Sequence, residues 1–348
     1  MRLDLATRTL FTEFQESVFA RTALSREIKG VSTFVHKKVK GIKYWYAQKF
    51  VQGTYQQQYF GPSNPKNDAH VATSKREYRE KKELLKKLIE KEARQAAMLK
   101  RGGILSVDKR VASVLTRLSD ARLIDGNGTL IGTLAFIAYS GILGAMFEKM
   151  TSKTNDIDIV RDERVNIAVS GTVDISELLD SGGLHFRGVP GLTHGYPPTS
   201  FISKDGIRID VLTPMRGRPK SISVVKGIKG AAAVPLPFLD FLIATSIRTV
   251  LIGPSGGIPV QVPEPSRFAI HKLIVTMRRP VTESAKKRKD IAQAEQLIKI
   301  LADEEPKELQ QAWKKAYGSS KKWAKLLTES KKLLTSETRS VIESLTRP

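Results

Sequence analysis

The sequence predicts an α/β (α+β) core with a mixed sheet, preceded by a small basic β-meander module and followed by a helical C-terminal domain. Residues 33–60 alternate apolar or aromatic side chains with basic or amide ones, which is the period of antiparallel strands. From Val107 to about Val262, short apolar segments typical of strands alternate with helical stretches. Beyond Pro265 the pattern is almost entirely helical.

Composition excludes several classes of protein. The chain has 348 residues, a net charge of +23 and a hydrophobic fraction of 41%, which is typical of a globular protein rather than a disordered or multi-span membrane protein. It has no cysteine, and its five histidines lack ligand spacing, so disulfides, cysteine nucleophiles and imidazole-held metals are not expected. The positive charge predicts an anionic partner; a merely solvated basic surface is the alternative.

No targeting or membrane segment is expected. The first residues contain early acidic side chains and no continuous apolar stretch, unlike a signal peptide. The segment Leu130–Phe147 has no charge and reaches the length of a spanning helix. Its glycine and hydroxyl residues instead favour a buried strand, a turn and a buried helix. We therefore expect a cytoplasmic protein with no membrane partner.

The N-terminal module is expected to hold three short strands, with turns at Lys40-Gly41 and Gln52-Gly53. Aromatic and lysine side chains are interleaved along them. They form either a nucleic-acid platform, with RNA favoured, or an ordinary small sheet with aromatics packed inward and lysines solvated. The candidate nucleic-acid-binding residues are Lys37, Lys38, Lys40, Lys43, Tyr44, Tyr46 and Lys49.

The clearest helix covers residues 74–101, with a capping box at Ser74 and Glu77 and a stop at Gly102-Gly103. We expect it to be a spacer or packing arm. Within the core, further helices are expected over 107–122, from Leu134 to Met150 and from Pro235 to Ile247, and one strand over 166–170. The predicted domains are residues 1–70 (basic β-rich module), 71–103 (helical spacer), 104–264 (α/β core) and 265–348 (C-terminal helices).

The most informative segment of the sequence is TNDIDIV at residues 154–160. Asp156 and Asp158 are two apart on an expected strand, so both carboxylates lie on one face, with Cα atoms roughly 6–7 Å apart. Two like charges at this distance repel unless a cation neutralises them, and Mg²⁺ or Mn²⁺ with oxygen ligands is the usual answer. Unpaired carboxylates in an apolar strand are also costly, which favours a functional site.

Two further features complete a candidate site. Gly132 and Thr133 join a short strand to a helix, where backbone N–H groups, a hydroxyl and the helix start favour phosphate. Asp210 is the single carboxylate of the apolar strand at 207–212, and it could join Asp156 and Asp158. Three carboxylates suit two-metal phosphoryl-group chemistry.

In these residues the sequence resembles the polymerase-β-like nucleotidyltransferase superfamily. That family has a Gly-Ser or similar pair after a strand, a carboxylate-x-carboxylate strand and a third carboxylate on a neighbouring strand. Gly132-Thr133, Asp156-Ile157-Asp158 and Asp210 match in order, with Thr133 in place of the commoner serine.

The likeness is closest to an uncharacterised bacterial branch of nucleotidyltransferase-fold proteins, related to minimal and toxin-type nucleotidyltransferases. The segments that carry this likeness are Tyr44-Trp45-Tyr46, Tyr59-Phe60-Gly61-Pro62 and Arg267 through Leu273. It covers most of the chain up to about residue 300.

The resemblance implies a nucleotidyltransferase core that moves a nucleoside monophosphate from an NTP to a hydroxyl acceptor, with RNA or tRNA favoured, and releases pyrophosphate. It implies that Asp156 and Asp158 hold Mg²⁺ on the triphosphate and that Asp210 ligands a second metal and helps to activate the acceptor. Gly132 and Thr133 would cradle the phosphates.

Related toxin-type enzymes place a lysine near the triphosphate, and Lys272 is the candidate. Arg279, seven residues later, would share its helix face, although an ordinary basic helix surface is the alternative. The likeness also implies an antitoxin-like protein as a partner besides the NTP and nucleic acid. Two other functions stay open: a nucleic-acid-binding protein with an inactive nucleotidyltransferase fold, and adenylylation of a small molecule or a protein.

Overall fold

The structure, a computed structural model, describes residues 2–30, 33–51, 54–126, 128–149, 154–162, 172–180, 183, 185–190, 195–217, 222–225 and 227–346. The helices are α1 (Leu5–Gly30), α2 (Pro65–Arg101), α3 (Lys109–Asp120), α4 (Gly132–Ile142), α5 (Ile175–Asp180), α6 (Leu239–Leu242), α7 (Pro265–Arg278), α8 (Ser284–Glu304), α9 (Pro306–Tyr317), α10 (Lys321–Lys331) and α11 (Ser336–Thr346). The strands are β1 (Thr33–Val39), β2 (Ile42–Val51), β3 (Thr54–Pro62), β4 (Thr129–Ile131), β5 (Asp156–Val160), β6 (Val173–Asp174), β7 (Phe186–Gly188), β8 (Ser200–Ser203), β9 (Arg208–Pro214), β10 (Ser223–Val224), β11 (Ile228–Lys229), β12 (Ala232–Leu236), β13 (Ser246–Ile252) and β14 (Gly257–Pro263).

The core is a mixed sheet in the order β10-β12-β9-β5-β4, with β8 also pairing with β9 and β7 pairing with β8. Strands β5, β9 and β12 run parallel to one another, whereas β4 and β8 pair antiparallel with β5 and β9. This arrangement confirms the predicted α/β (α+β) fold with a mixed sheet.

One hydrophobic core lies behind the sheet and continues into the C-terminal helices. Ile157 and Ile159 of β5 are buried in it, because strand alternation turns them away from the neighbouring aspartates. Leu297 of α8 and Trp313 of α9 belong to the same cluster. The sheet is thereby packed on one side, and its other face carries the polar residues described below.

Helices α1 and α2 form an antiparallel arm. Near the core, Phe14 of α1 and Leu99 of α2 are buried together, and farther out Lys81 Nζ lies 2.6 Å from Glu27 Oε1. Sequence analysis missed α1. It also placed the start of α2 at Ser74, which is wrong: the helix begins at Pro65, after an Asn64 side chain that accepts the Asn67 N–H.

The arm carries the three-stranded sheet β1-β2-β3, as the alternation of residues 33–60 predicts. Lys40 and Gly41 connect β1 to β2 with φ values of 48° and 80°, which is the backbone of a tight hairpin turn. The other predicted turn, Gln52-Gly53, lies outside the described residues.

Two predicted helices differ from the structure. Helix α4 ends at Ile142 rather than Met150, just before Gly144 takes a left-handed φ of +56°. The expected helix over Pro235–Ile247 is wrong except for the four residues of α6, because Pro235 and Leu236 pair in β12, Phe238 takes a left-handed φ of +73° and β13 begins at Ser246. The strand expected over 166–170 lies outside the described residues. In the described part of the chain, no helix combines the length and the apolar character needed to cross a membrane.

Candidate active site

The register of the sheet brings the three predicted carboxylates together. Parallel pairing of β5 with β9 sets Asp158 beside Asp210 and Asp156 beside Arg208. Neighbouring strands lie about 4.8 Å apart, and residues in register share a face. The three aspartates therefore lie on the face of the sheet that is turned away from Ile157 and the core.

Their proximity has an electrostatic consequence at Asp158. Its side chain is half-buried, and burial raises the pKa of this carboxyl to about 6, with the neighbouring Asp210 and Asp156 charges adding to the effect. The Lys272 and Lys286 cations act in the opposite direction. An additional cation at this place would relieve the repulsion among the carboxylates.

Gly132 and Thr133 lie in the first turn of α4, directly after β4. Gly132 has φ +68°, and a Cβ built on it would lie 2.5 Å from Asp158 Oδ2, so glycine permits the close approach of backbone and carboxylate. Ile131 is the N-cap residue and supplies no side-chain hydrogen bond to the N–H groups of the first turn. These N–H groups are available to an anion.

Arg208 is a site residue that sequence analysis missed. Its Nε lies 3.0 Å from both carboxylate oxygens of Asp210, two residues along the same strand. The signal was present in the sequence as Arg-Ile-Asp, because residues two apart on a strand share a face.

The carboxylates fit a divalent cation by their chemistry, since hard cations prefer oxygen ligands. Asp156 and Asp158 make no ion pair with any described residue. Asp210 is directed at Arg208 instead, and no group of three acidic or histidine side chains within the described ranges is arranged to hold a metal ion. The predicted three-ligand set is thus brought to one face but not assembled.

Lys272 and Arg279 converge on one buried carboxylate. Lys272 Nζ lies 2.6 Å from Asp290 Oδ1, and Arg279 Nε lies 2.5 Å from Asp290 Oδ2. Burial alone would raise the pKa of Asp290, but the two cations hold that pKa below its usual value. Arg279 does not share a helix face with Lys272 as predicted, because α7 ends at Arg278 and Arg279 has extended backbone.

A cavity of about 370 Å³ connects these groups. Gly132, Asp158, Lys272 and Arg279 line it, and most of its other walls are aliphatic or aromatic. His271 also lines it; burial and the adjacent Lys272 lower the pKa of its imidazole to about 3, so the ring stays neutral. The volume and the mixture of apolar walls with a few charged groups are typical of a small-molecule site.

The candidate nucleic-acid-binding residues lie on both faces of the three-stranded sheet β1-β2-β3 and in one of its turns. The face turned away from α2 carries Lys37, Tyr44 and Tyr46. The opposite face carries Lys38, Lys43 and Lys49. Lys40 lies in the turn between β1 and β2.

We expect Asp158→Asn to stabilise the fold at neutral pH when no divalent cation is present. With a folded-state pKa of about 6 against a usual 3.8, ionised Asp158 is disfavoured by folding, so stability falls as pH rises from about 4 to about 6. Asparagine removes this loss, which amounts to about 1–3 kcal/mol above pH 7. Urea unfolding in chelator should show the variant more stable at pH 7.5 and equal to wild type near pH 4. Equal stability at both pH values would contradict the prediction.

Comparison with known proteins supplies one match. A family model described as Nucleotidyltransferase matches residues 109–318, which is more than half of the chain. No curated protein and no solved structure matches the chain. The matched range contains the three aspartates, the start of α4 and the cavity, whereas the arm and its three-stranded sheet lie outside it.

Proposed function

Because the chain belongs to the nucleotidyltransferase family, we propose that it moves a nucleoside monophosphate from an NTP to a hydroxyl group of RNA and releases pyrophosphate. The observation that carries this proposal is the register of β5 and β9, which puts Asp158, a residue that lines the cavity, beside Asp210. Family membership supports nucleotidyl transfer in general; the NTP, the divalent cation and the RNA acceptor are parts of the proposal.

The cavity would hold the NTP. Its apolar walls suit a base and a ribose, and the uncapped first turn of α4, at Gly132 and Thr133, suits the phosphates. Lys272 and Arg279 place positive charge on the same cavity. Asp290 fixes both side chains through short hydrogen bonds, so their charge is positioned before the nucleotide arrives.

Asp156 and Asp158 would hold Mg²⁺ or Mn²⁺, and Asp210 would join them after leaving Arg208. When bound, the cation neutralises triphosphate charge and makes the α-phosphorus a better electrophile. Asp210 accepts the proton of the acceptor hydroxyl, whose oxygen bonds to the α-phosphorus. The bond from that phosphorus to the bridging oxygen breaks, and pyrophosphate leaves with the electron pair.

The experiment compares label positions. Purified protein is incubated with total RNA, Mg²⁺ and each of the four NTPs, labelled at either the α- or the γ-phosphate. We expect α-label to enter RNA and γ-label to appear in pyrophosphate, with Asp158→Asn as the inactive control. Release of γ-label as orthophosphate, or no α-label in RNA with any NTP, would refute the proposal. Label in protein instead of RNA would refute the acceptor.

Gly132→Ala should separate activity from stability. Its Cβ would displace the Asp158 carboxylate, which lies within 2.5 Å of the added atom, so we expect transfer to fall by about 100-fold or more. Left-handed strain adds a stability loss of about 1–2 kcal/mol. Gly206→Ala is the matched control, because Gly206 has φ +78° and no atom within 4 Å of an added Cβ. It should lose similar stability and keep its activity. Equal activity of the two variants would contradict this role of Gly132.

A further inference from the structure

The sheet β1-β2-β3 is held at the outer end of the arm. α2 has 37 residues, which corresponds to about 55 Å at 1.5 Å per residue. The inner end of α2 is fixed by the buried side chain of Glu92. Its Oε1 lies 3.0 Å from Nε of Arg21 in α1, and its Oε2 accepts the Gly257 N–H. The strands join the outer end of the arm, so this sheet extends away from the core.

Within the described part of the chain, helix α2 covers one face of this sheet. On the covered face, Phe34 and Phe60 pack against His70 of α2, and Trp45 Nε1 donates to Asp68 at 2.6 Å. These aromatic residues therefore follow the inward-packed alternative of the sequence analysis. The other face carries the four tyrosines of the three strands, and we call it the tyrosine face.

The tyrosine face consists of Tyr44, Tyr46, Tyr55 and Tyr59 together with Lys37. The Tyr59 ring lies 6.0 Å from that of Tyr44 and 5.8 Å from that of Tyr46. Tyr59 is 55% exposed and Tyr55 is 64% exposed. Large aromatic side chains so far from any core are a costly surface for a protein that has no ligand for them.

The charged side chains of the three strands and their turns are all positive. Thr33–Pro62 contains five lysines and no aspartate or glutamate. Lys37 Nζ lies 4.9 Å from the centre of the Tyr46 ring. Of the five lysines, Lys37 lies on the tyrosine face, Lys40 lies in the turn between β1 and β2, and Lys38, Lys43 and Lys49 lie on the covered face. Complementarity therefore favours a polyanion over a protein surface of mixed charge.

The combination of tyrosine rings and positive charge favours single-stranded nucleic acid over a duplex. Aromatic side chains stack on the faces of bases, and only bases outside a duplex expose those faces. Lys37, beside the Tyr46 ring, can contact a phosphate of a strand whose bases stack on the tyrosines. Gln48 and Gln57 share this face and add amide groups that can reach ribose hydroxyls.

We infer that the tyrosine face binds single-stranded RNA and is the docking site for the acceptor. The acceptor role rests on the proposed function; the binding itself does not. Docking on the end of the arm would hold a long RNA to the enzyme by contacts outside the family-matched residues, so it should lower the KM for RNA and leave NTP affinity unchanged.

The test uses the full chain in chelator without NTP and measures fluorescence anisotropy of a labelled oligo-U of about 20 nucleotides. We expect Tyr59→Leu to weaken binding about tenfold and Tyr59→Phe, which keeps the ring, to stay within about twofold. Tyr317→Leu is the matched control, since Tyr317 is 47% exposed on α9 and should leave binding unchanged. A duplex RNA of the same length should bind more weakly than oligo-U.

The lysines give a second measurement. Lys37→Gln should reduce the salt dependence of oligo-U binding by about 0.7 in the slope of log K against log salt, whereas Lys49→Gln on the other face should change it less. Equal effects of the two variants, wild-type affinity of Tyr59→Leu, or tighter binding of the duplex would overturn the inference. So would a change in oligomeric state by Tyr59→Leu without a change in RNA affinity, which would make the face a protein interface. Intact binding beside absent transfer would refute only the proposed function.

Discussion

Asp210→Asn is expected to abolish nucleotidyl transfer, by about 1,000-fold or more, while NTP affinity stays within about tenfold, or roughly 1.4 kcal/mol. Asparagine keeps the volume of Asp210 but cannot accept the proton of the acceptor hydroxyl. Asp158 and the Lys272 side of the cavity are unchanged, so the nucleotide keeps its contacts. Single-turnover transfer and calorimetric NTP binding measure the two effects separately.

The matched control is Asp205→Asn. Asp205 is exposed in the turn that precedes β9, five residues before Asp210, and its substitution should leave both transfer and binding unchanged. Wild-type transfer by Asp210→Asn, in an assay where Asp158→Asn is inactive, would remove Asp210 from the mechanism.

Asp290→Asn should lower the free energy of unfolding by about 3–5 kcal/mol, more than any other single substitution named here. The variant leaves buried Lys272 without its carboxylate partner and removes one partner of Arg279, which keeps Glu283 at 2.7 Å. Chemical unfolding at pH 7 measures this loss. The NTP affinity should fall as well, because the two cations lose the group that positions them.

Two comparisons make the Asp290 prediction specific. Asp120→Asn breaks the Lys29–Asp120 pair, whose side chains are 65% and 50% exposed, and should change stability by less than about 1 kcal/mol. The double variant Lys272→Met, Asp290→Leu removes both buried charges and should recover part of the stability that Asp290→Asn loses. A loss of less than 1 kcal/mol in Asp290→Asn would contradict the ion-pair argument.

The polar face of the core sheet could be predicted from sequence, because alternation along one strand is local. The two-residue period of a strand is enough to place Asp156 and Asp158 on the face opposite Ile157. Gly132-Thr133 lies where a strand meets a helix. The register that sets Asp158 beside Asp210 could not be predicted. It depends on the pairing of strands that are about 50 residues apart in sequence, and burial of the apolar face decides it.

Other differences have similar causes. The capping box at Ser74 is a valid local signal, but Pro65 and the Asn64 cap begin the helix earlier and Ser74 lies within it. The Arg208–Asp210 pair could not be predicted from the carboxylate pattern, because a carboxylate on a strand binds a metal ion or a guanidinium equally well by its chemistry and the side-chain rotamers decide between them. The convergence of Lys272 and Arg279 on Asp290 needed the position of α8, which no local pattern contains.

Strand β3 has a further consequence for the behaviour of the protein in solution. Among the described strands it pairs only with β2, so it is an edge strand of this sheet, and Thr54–Pro62 contains no charged side chain. An uncharged edge strand is a template on which the same strand of another copy can add. The lysines of β1 and β2 and the net charge of +23 oppose that encounter by repulsion, whose range shrinks to about 10 Å in 0.1 M salt. The lysines that attract a polyanion thus also keep copies of this chain from joining edge to edge, and salt weakens both effects together.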